Sequence, residues 1–341
     1  MKAAIDLLVR GQDLPPEMMR SIMLQLMHGE ADAAAVGAFL TALTMKGESV
    51  AEVTAAAQVM RELAKPITLG DGVMVDPVGT GGDGASLFNV STAAAIIASA
   101  GGVKIAKHGN IAASGASGSA DVLRQAGVVL ELEPEQVKTC IDETGFGFMF
   151  AQAYHQSMRH VVPIRRAIGI RTVFNVLGPL SNPAGVKYQM LGVFSKNWLR
   201  PMTEVAHQLG AERVLVVHSD NGLDEFSVTH TNHVAELKAD GSIVEYSVAP
   251  QEFDMHYSDH SALQVRSATD SLALIQSVFE TATPVIGFDM LALNAGAIFY
   301  LAGQTPDIQC GTLLAKSIMR DGRASAQLQR IVACTQRLGG S

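Results

Sequence analysis

Apolar positions in the first sixty-five residues recur at helical spacing, and few of the residues that fill them are β-branched. The punctuation agrees. Pro15-Pro16 opens one helix and Gly29 stops it; a second pattern runs over 33–45 and ends at Gly47. Ser49 and Glu52 then have the spacing of a capping box, starting a helix that Pro66 closes. After Pro66 the period changes. Short apolar runs at 73–75, 103–106, 128–132, 146–150, 190–194 and 214–217 read as buried strands, with helices over 90–100 and near 121–125 between them. Such alternation predicts a parallel sheet covered on both faces. Ligands of such sheets bind at the carboxyl ends of the strands, which places the loops after Val75, Ala106 and Val217 at one rim.

The segment 155–185 breaks this rhythm. It carries Arg159, His160, Arg165, Arg166 and Arg171, then Gly178-Pro179-Leu180-Ser181-Asn182-Pro183, and reads as an excursion back to the helices. The predicted organisation is α/β: a small helical domain over 1–70, rejoined by 155–185, and a larger domain over 71–154 and 186–341 with a mostly parallel sheet.

Charge narrows the partners. With 33 Asp+Glu against 25 Lys+Arg in 341 residues, the net charge of -8 argues against broad nucleic-acid binding, which needs a basic surface. An anionic small molecule held by a few local cations stays compatible. The most apolar stretches, 93–103 and 291–303, fall short of the roughly 18–20 residues that span a bilayer. Asp6 and the lack of a cleavage pattern argue against a secretory leader. Cys140, Cys310 and Cys334 are too widely spaced for a metal knuckle, are odd in number, and suit a reducing cytoplasm.

Four constellations could carry chemistry. Gly79-Thr80-Gly81-Gly82-Asp83-Gly84 formally matches a dinucleotide fingerprint, but no helix starts at the third glycine, and Lys107 stands where a ribose-binding acid is expected. What the loop can do is bring backbone N–H groups close to an anion, with Asn89-Val90-Ser91-Thr92 capping a helix aimed at the same rim. An ordinary βα connection would use the same residues. Lys107, at a strand end, precedes a long run of small and hydroxyl residues through Asp121 that could close over a ligand or lie idle at the surface. Asp224-Glu225 suits a hard cation such as Mg²⁺, though taken alone a solvated acidic turn reads better. Arg165 could clamp a planar carboxylate through two parallel hydrogen bonds, or belong to a basic helix face. No H-E-x-x-H, G-x-S-x-G or G-x-x-x-x-G-K-[ST] is present.

Taken in order, these motifs resemble the anthranilate phosphoribosyltransferase family from the first helices to about Leu338. The resemblance rests on the Gly79–Gly84 loop, Asn89-Val90-Ser91-Thr92, Lys107-His108-Gly109-Asn110, Gly118-Ser119-Ala120-Asp121 and Arg165. Asn175-Val176-Leu177-Gly178-Pro179-Leu180-Ser181-Asn182-Pro183-Ala184, Asp224-Glu225 and Leu293-Asn294-Ala295-Gly296 complete it. It implies the nucleoside phosphorylase/phosphoribosyltransferase-like fold, usually a homodimer paired through the helical part. The implied activity is transfer of phosphoribosyl from phosphoribosyl diphosphate to anthranilate, for tryptophan synthesis in the cytoplasm, with Mg²⁺ and no enzymic nucleophile.

Carried over by position, the phosphoribosyl diphosphate site would be Gly79, Gly82, Asp83, Leu87, Asn89, Val90, Ser91 and Thr92, covered by Lys107, His108, Gly109, Asn110, Ile111, Ala112, Ala113, Ser114, Gly115 and Ser119. Anthranilate would meet Gly79, Asn110 and Arg165, and Mg²⁺ would meet Ser91, Asp224 and Glu225. The chain departs from the family at Ile111 and Ala116, where members usually carry Arg and Lys, and at Leu87, often polar. The alternatives are a pyrimidine nucleoside phosphorylase, whose Lys-His-Ser type of signature is missing, and a non-catalytic paralogue that binds nucleic acid.

Overall fold

A computed structural model describes residues 1–82, 84–112, 116–283 and 285–340. The amino-terminal region folds as α1 (Lys2–Val9), α2 (Pro16–His28), α3 (Ala33–Lys46) and α4 (Val50–Glu62). Its punctuation is as read from sequence. Gly29 ends α2 in the left-handed region at φ 72°, where glycine has no Cβ to clash. Asp32 caps α3, its carboxylate accepting the N–H groups of Ala34 and Ala35. Ser49 and Glu52 exchange the two bonds of a capping box at the head of α4.

Seven strands form one sheet: β1 (Met74–Gly79), β2 (Lys104–Gly109), β3 (Phe146–Phe150), β4 (Tyr188–Gly192), β5 (Arg213–Ser219), β6 (Asn232–Leu237) and β7 (Ile243–Val248). Their order is β3-β2-β1-β4-β5-β6-β7. The first five are parallel, so their carboxyl ends share one rim, while β6 and β7 add as an antiparallel ribbon. That ribbon was not anticipated, although Asp240-Gly241 between two alternating runs is a hairpin signal.

Residues 128–132 are not a strand. The Val128 N–H bonds back to the Leu123 carbonyl and the Val129 N–H goes to Thr335 Oγ1, so these amides are committed to neighbouring helices instead of a ladder. The alternation of buried Val128, Leu130 and Leu132 reflects packing, not pairing.

One face of the sheet is covered by the helices Val90–Ala100, Val285–Leu301, Ile308–Arg320 and Arg323–Gly339 around a large apolar core. The helix Val285–Leu301 is buried almost all round, and among the described residues no single helix is long and apolar enough to cross a membrane. On the other face Met19, Phe39 and Leu43 of α2 and α3 share a core with Val161, Val173 and Leu177, and with Leu191, Val214 and Val216 of the sheet. Each such side chain contributes about 1.5–3 kcal/mol on burial. The amino-terminal helices, the 155–185 segment and the sheet therefore share one continuous core, which holds that segment over the rim.

Candidate active site at the sheet rim

At the rim β1 leaves β2. Pairing between them stops at Val75↔Ile105, whereas β1 stays with β4 to Gly79↔Gly192. Pro77 has no N–H for the ladder, and Asp76 stands in with its carboxylate. Asp76 accepts the His108 N–H at 3.0 Å and Asn182 Nδ2–H at 2.7 Å.

Lys107 enters the gap so formed. It is 1% exposed, and its Nζ donates to the Pro77 carbonyl and, at 3.2 Å, to Ser91 Oγ. Burial pushes Lys107 down to about 8, opposed by the charges of Asp76, Glu225 and Asp224; burial pushes Asp76 up to about 6, opposed first by Lys107. The predicted strand-end cation is thus a buried ammonium beneath the rim, aimed at the head of the helix Val90–Ala100.

The Gly-rich loop and the acidic pair, 143 positions apart, meet directly. Asp224, 8% exposed, accepts the Gly81 N–H at 2.7 Å through Oδ2. A Cβ on Gly79 would lie 2.3 Å from that same Oδ2, and one on Gly192 would lie 1.6 Å from the Asp224 carbonyl oxygen. Glycine at 192 is therefore required for the acidic turn to dock, and glycine at 79 lets the Asp224 carboxylate reach the loop. Gly81 and Gly82 follow at φ 65° and 77°, both left-handed. Lys107 links these groups, donating to the Ser91 hydroxyl while feeling the charges of Asp224 and Glu225, and oxygen donors of this kind suit Mg²⁺. Among the described residues no group of three or more His, Cys, Asp or Glu is placed to hold a metal ion.

The second loop is tied to the first. Asn89 caps the helix Val90–Ala100 by accepting the Thr92 N–H at 3.0 Å, and its Oδ1 also accepts from Ser119 Oγ at 3.5 Å. Asp121 Oδ2 accepts the N–H groups of Ala112 and Gly118, closing the ends of the small-residue stretch. Gly109 lies against Phe148, where a Cβ would come within 2.8 Å of the ring. The Asn110 carbonyl accepts the Ala120 N–H, and Ile111 is 41% exposed. Asp83, Ala113, Ser114 and Gly115 lie outside the described residues.

Some expected residues face elsewhere. The Val90 side chain is core, Leu87 packs half-buried against that core, and Thr92 is fully buried. These positions can offer a rim ligand only backbone groups or, for Thr92, a hydroxyl that has no hydrogen-bond partner. His108 turns away from the Gly-rich loop. Its ring bonds the Gly178 carbonyl and meets the His155 ring edge-on at 5.1 Å, and burial holds both imidazoles neutral, His155 at about 4.

Arg165, in the helix Val162–Ile168, lies 5.5 Å over the Phe174 ring. Partial burial lowers its pKa, and among the described residues no carboxylate pairs with it, which leaves its fork available to an acid. Three residues that sequence reasoning did not assign also shape this rim: Asp76, His155 and Arg171. Asp76 had no surface signal, and the other two lay in a cationic run from which only Arg165 was singled out.

The family model for the glycosyl transferase family a/b domain matches residues 71–325, and that for its helical bundle domain matches 2–64. The chain is 46% identical to the anthranilate phosphoribosyltransferase of Alkalilimnicola ehrlichii, over 99% of both chains. The crystal structure of anthranilate phosphoribosyltransferase from Thermus thermophilus superposes with a TM-score of 0.90 at 42% identity, over 98% of this chain and 99% of that one. The enzyme from Saccharomyces cerevisiae, in complex with PRPP and Mg, superposes with a TM-score of 0.86 at 26% identity, over 95% and 94%.

Proposed function

The chain belongs to the anthranilate phosphoribosyltransferase family, and we infer from that premise that it moves the phosphoribosyl group of 5-phosphoribosyl 1-diphosphate onto the amine of anthranilate. The products are N-(5-phosphoribosyl)anthranilate and diphosphate, and the reaction belongs to tryptophan biosynthesis. At the site itself, the observation that carries this reading is the docking of Asp224 against Gly79 and Gly81, which joins an acidic pair to an anion-binding loop. Full-length identity to the bacterial enzymes favours it over the phosphorylase and nucleic-acid alternatives.

Departure of diphosphate leaves an oxocarbenium-like ribose, so the site needs charge neutralisation and placement, not a nucleophile. In this reading the backbone of Gly79 and Gly82, with Asp83, Asn89 and Ser91, binds phosphoribosyl diphosphate. Lys107, charged through its acidic neighbours, adds positive potential from below. The loop from His108 through Gly115, with Ser119, covers the substrate. His108 takes part through its backbone, because its ring is committed to Gly178 and His155.

Ser91, Asp224 and Glu225 are assigned to Mg²⁺. When bound, that ion offsets the charge of the leaving diphosphate. The yeast relative in complex with PRPP and Mg supports this assignment. Arg165, with Gly79 and Asn110, orients anthranilate through its carboxylate.

The two-part organisation is proposed as 1–70 with 155–185, and 71–154 with 186–341. Pairing of two copies through the helical part is proposed from family membership. A cytoplasmic setting fits the three free cysteines. Anthranilate fluorescence followed on mixing protein, Mg²⁺ and phosphoribosyl diphosphate tests the activity: a time-dependent loss with release of diphosphate is expected, and steady fluorescence at high protein overturns the reading.

A further inference from the structure

Arg171 stands at a junction of three elements. Its Nη2 donates to the Gly82 carbonyl at 2.5 Å, its guanidinium lies 4.4 Å over the Phe194 ring, and its own carbonyl accepts Thr44 Oγ1 of α3 at 3.4 Å. Phe194 is itself bonded to the loop, its N–H donating to Thr80 Oγ1 at 3.1 Å. From the other side Asp224 takes the Gly81 N–H. The two left-handed glycines are therefore gripped between a cation on a carbonyl and a carboxylate on an N–H. Adjacent glycines have more backbone freedom to lose on binding than other residues. A planar guanidinium stacked on a ring restrains them before the ligand arrives, and its charge lies on the loop that faces an anion. Ile111 and Ala116 add no cation to the covering loop of this chain.

We propose that Arg171 is a positioning residue for the diphosphate site, holding the Gly81-Gly82 turn in its binding conformation and supplying charge that the covering loop lacks. The inference rests on the phosphoribosyl diphosphate reading of that loop. Because Arg171 shares a segment with Arg165, the competing role is a second anthranilate cation, and the two roles separate by which substrate is affected.

The test measures Michaelis constants for both substrates, and calorimetric binding of phosphoribosyl diphosphate with Mg²⁺ at several salt concentrations, in the full-length protein. Arg171→Ala is expected to weaken phosphoribosyl diphosphate about tenfold, as loss of a charged hydrogen bond implies. The anthranilate constant stays within about twofold, and the salt dependence of diphosphate binding becomes shallower, because an exposed charge acts through a screened field. Arg171→Lys, which keeps charge without the fork, and Phe194→Leu, which removes the platform, are each expected to weaken binding about two- to fivefold. Equal rises in both Michaelis constants, or unchanged diphosphate affinity in the variants, overturn the proposal. If Arg171→Ala does not fold, the two milder variants decide it on the same criterion. A wild type that binds no phosphoribosyl diphosphate brings down the site reading and this inference together; a wild type that binds, beside variants that bind equally, brings down the inference alone.

Discussion

Gly79 and Asp224 approach so closely that a single methyl group cannot fit between them: a Cβ on Gly79 would stand 2.3 Å from Asp224 Oδ2. Asp224 is the acid that accepts the Gly81 N–H, so the same glycine sets the shape of the anion loop and the position of the proposed metal ligand. Gly79→Ala is expected to push the carboxylate aside and raise the Mg²⁺ concentration for half-maximal rate by about tenfold, the scale of one charged contact. A Mg²⁺ titration of initial rate reads this. A superimposable titration curve in the variant would remove Asp224 from the metal site.

Lys107 makes activity and stability respond to pH in opposite directions. Its folded pKa of about 8 lies below the unfolded value of about 10.4. Between those values the unfolded chain binds more protons than the folded one, so this group's contribution to stability rises with pH. In the proposed diphosphate site the ammonium supplies the charge, so kcat/KM for phosphoribosyl diphosphate is expected to fall as pH rises through about 8. Rate profiles and melting temperatures recorded over the same range check the pair of signs. A fall in both together would attribute the loss of rate to unfolding instead.

Ile111 is 41% exposed at the start of the proposed covering loop, a position where the family resemblance implies arginine. Ile111→Arg removes an exposed apolar side chain and adds a cation next to the proposed diphosphate site. The expected result is a phosphoribosyl diphosphate Michaelis constant lower by about three- to tenfold, with the anthranilate constant unchanged. An unaltered constant for both substrates would show that cations in this loop do not act on the ligand here.

Much of this architecture is legible in the residues themselves, because short-range signals decide it. Gly29, Gly47 and the Ser49–Glu52 box bound the helices where local chemistry says they must. The strands β1 to β5 show as apolar runs because both their faces are covered. The failures share a cause. Residues 128–132 alternate like a strand, but what their amides bond to is a tertiary matter that Thr335, 206 positions away, decides. Lys107 reads as a strand-end cation, but its burial is not legible, because nothing nearby in sequence announces that Pro77 and Asp76 open a gap to receive it. Gly192 carries no motif at all, yet its missing Cβ is what lets Asp224 in.

Glu52 and Lys46 form an ion pair at 2.7 Å with almost no exposure of either side chain, and Glu52 also accepts the N–H groups of Leu14 and Ser49. Lys46→Met leaves a buried carboxylate with its backbone donors and no countercharge. Breaking such a pair on one side destabilises by about 3–5 kcal/mol. The variant is expected to unfold at lower denaturant concentration with an unchanged slope, followed by circular dichroism. A midpoint equal to wild type would mean that the backbone donors alone satisfy Glu52.

Arg165 is the one arginine of its segment that is partly buried; like Arg171 it lies over a ring, and no carboxylate of the chain is paired with it among the described residues. Partly removing a guanidinium from water without an acid is unfavourable unless an acid arrives with the ligand. Arg165→Ala is expected to raise the anthranilate Michaelis constant by about ten- to hundredfold while moving that of phosphoribosyl diphosphate by less than about twofold. Arg165→Lys recovers part of the loss, because lysine keeps the charge but not the bidentate fork. Aniline separates the carboxylate contact from a general packing effect, since it carries the reacting amine without the acid. If Arg165 acts on the carboxylate, wild type and Arg165→Ala use aniline equally poorly, and the difference between the two proteins appears only with anthranilate. A penalty of the same size with both acceptors would assign Arg165 to the shape of the pocket and not to recognition of the acid.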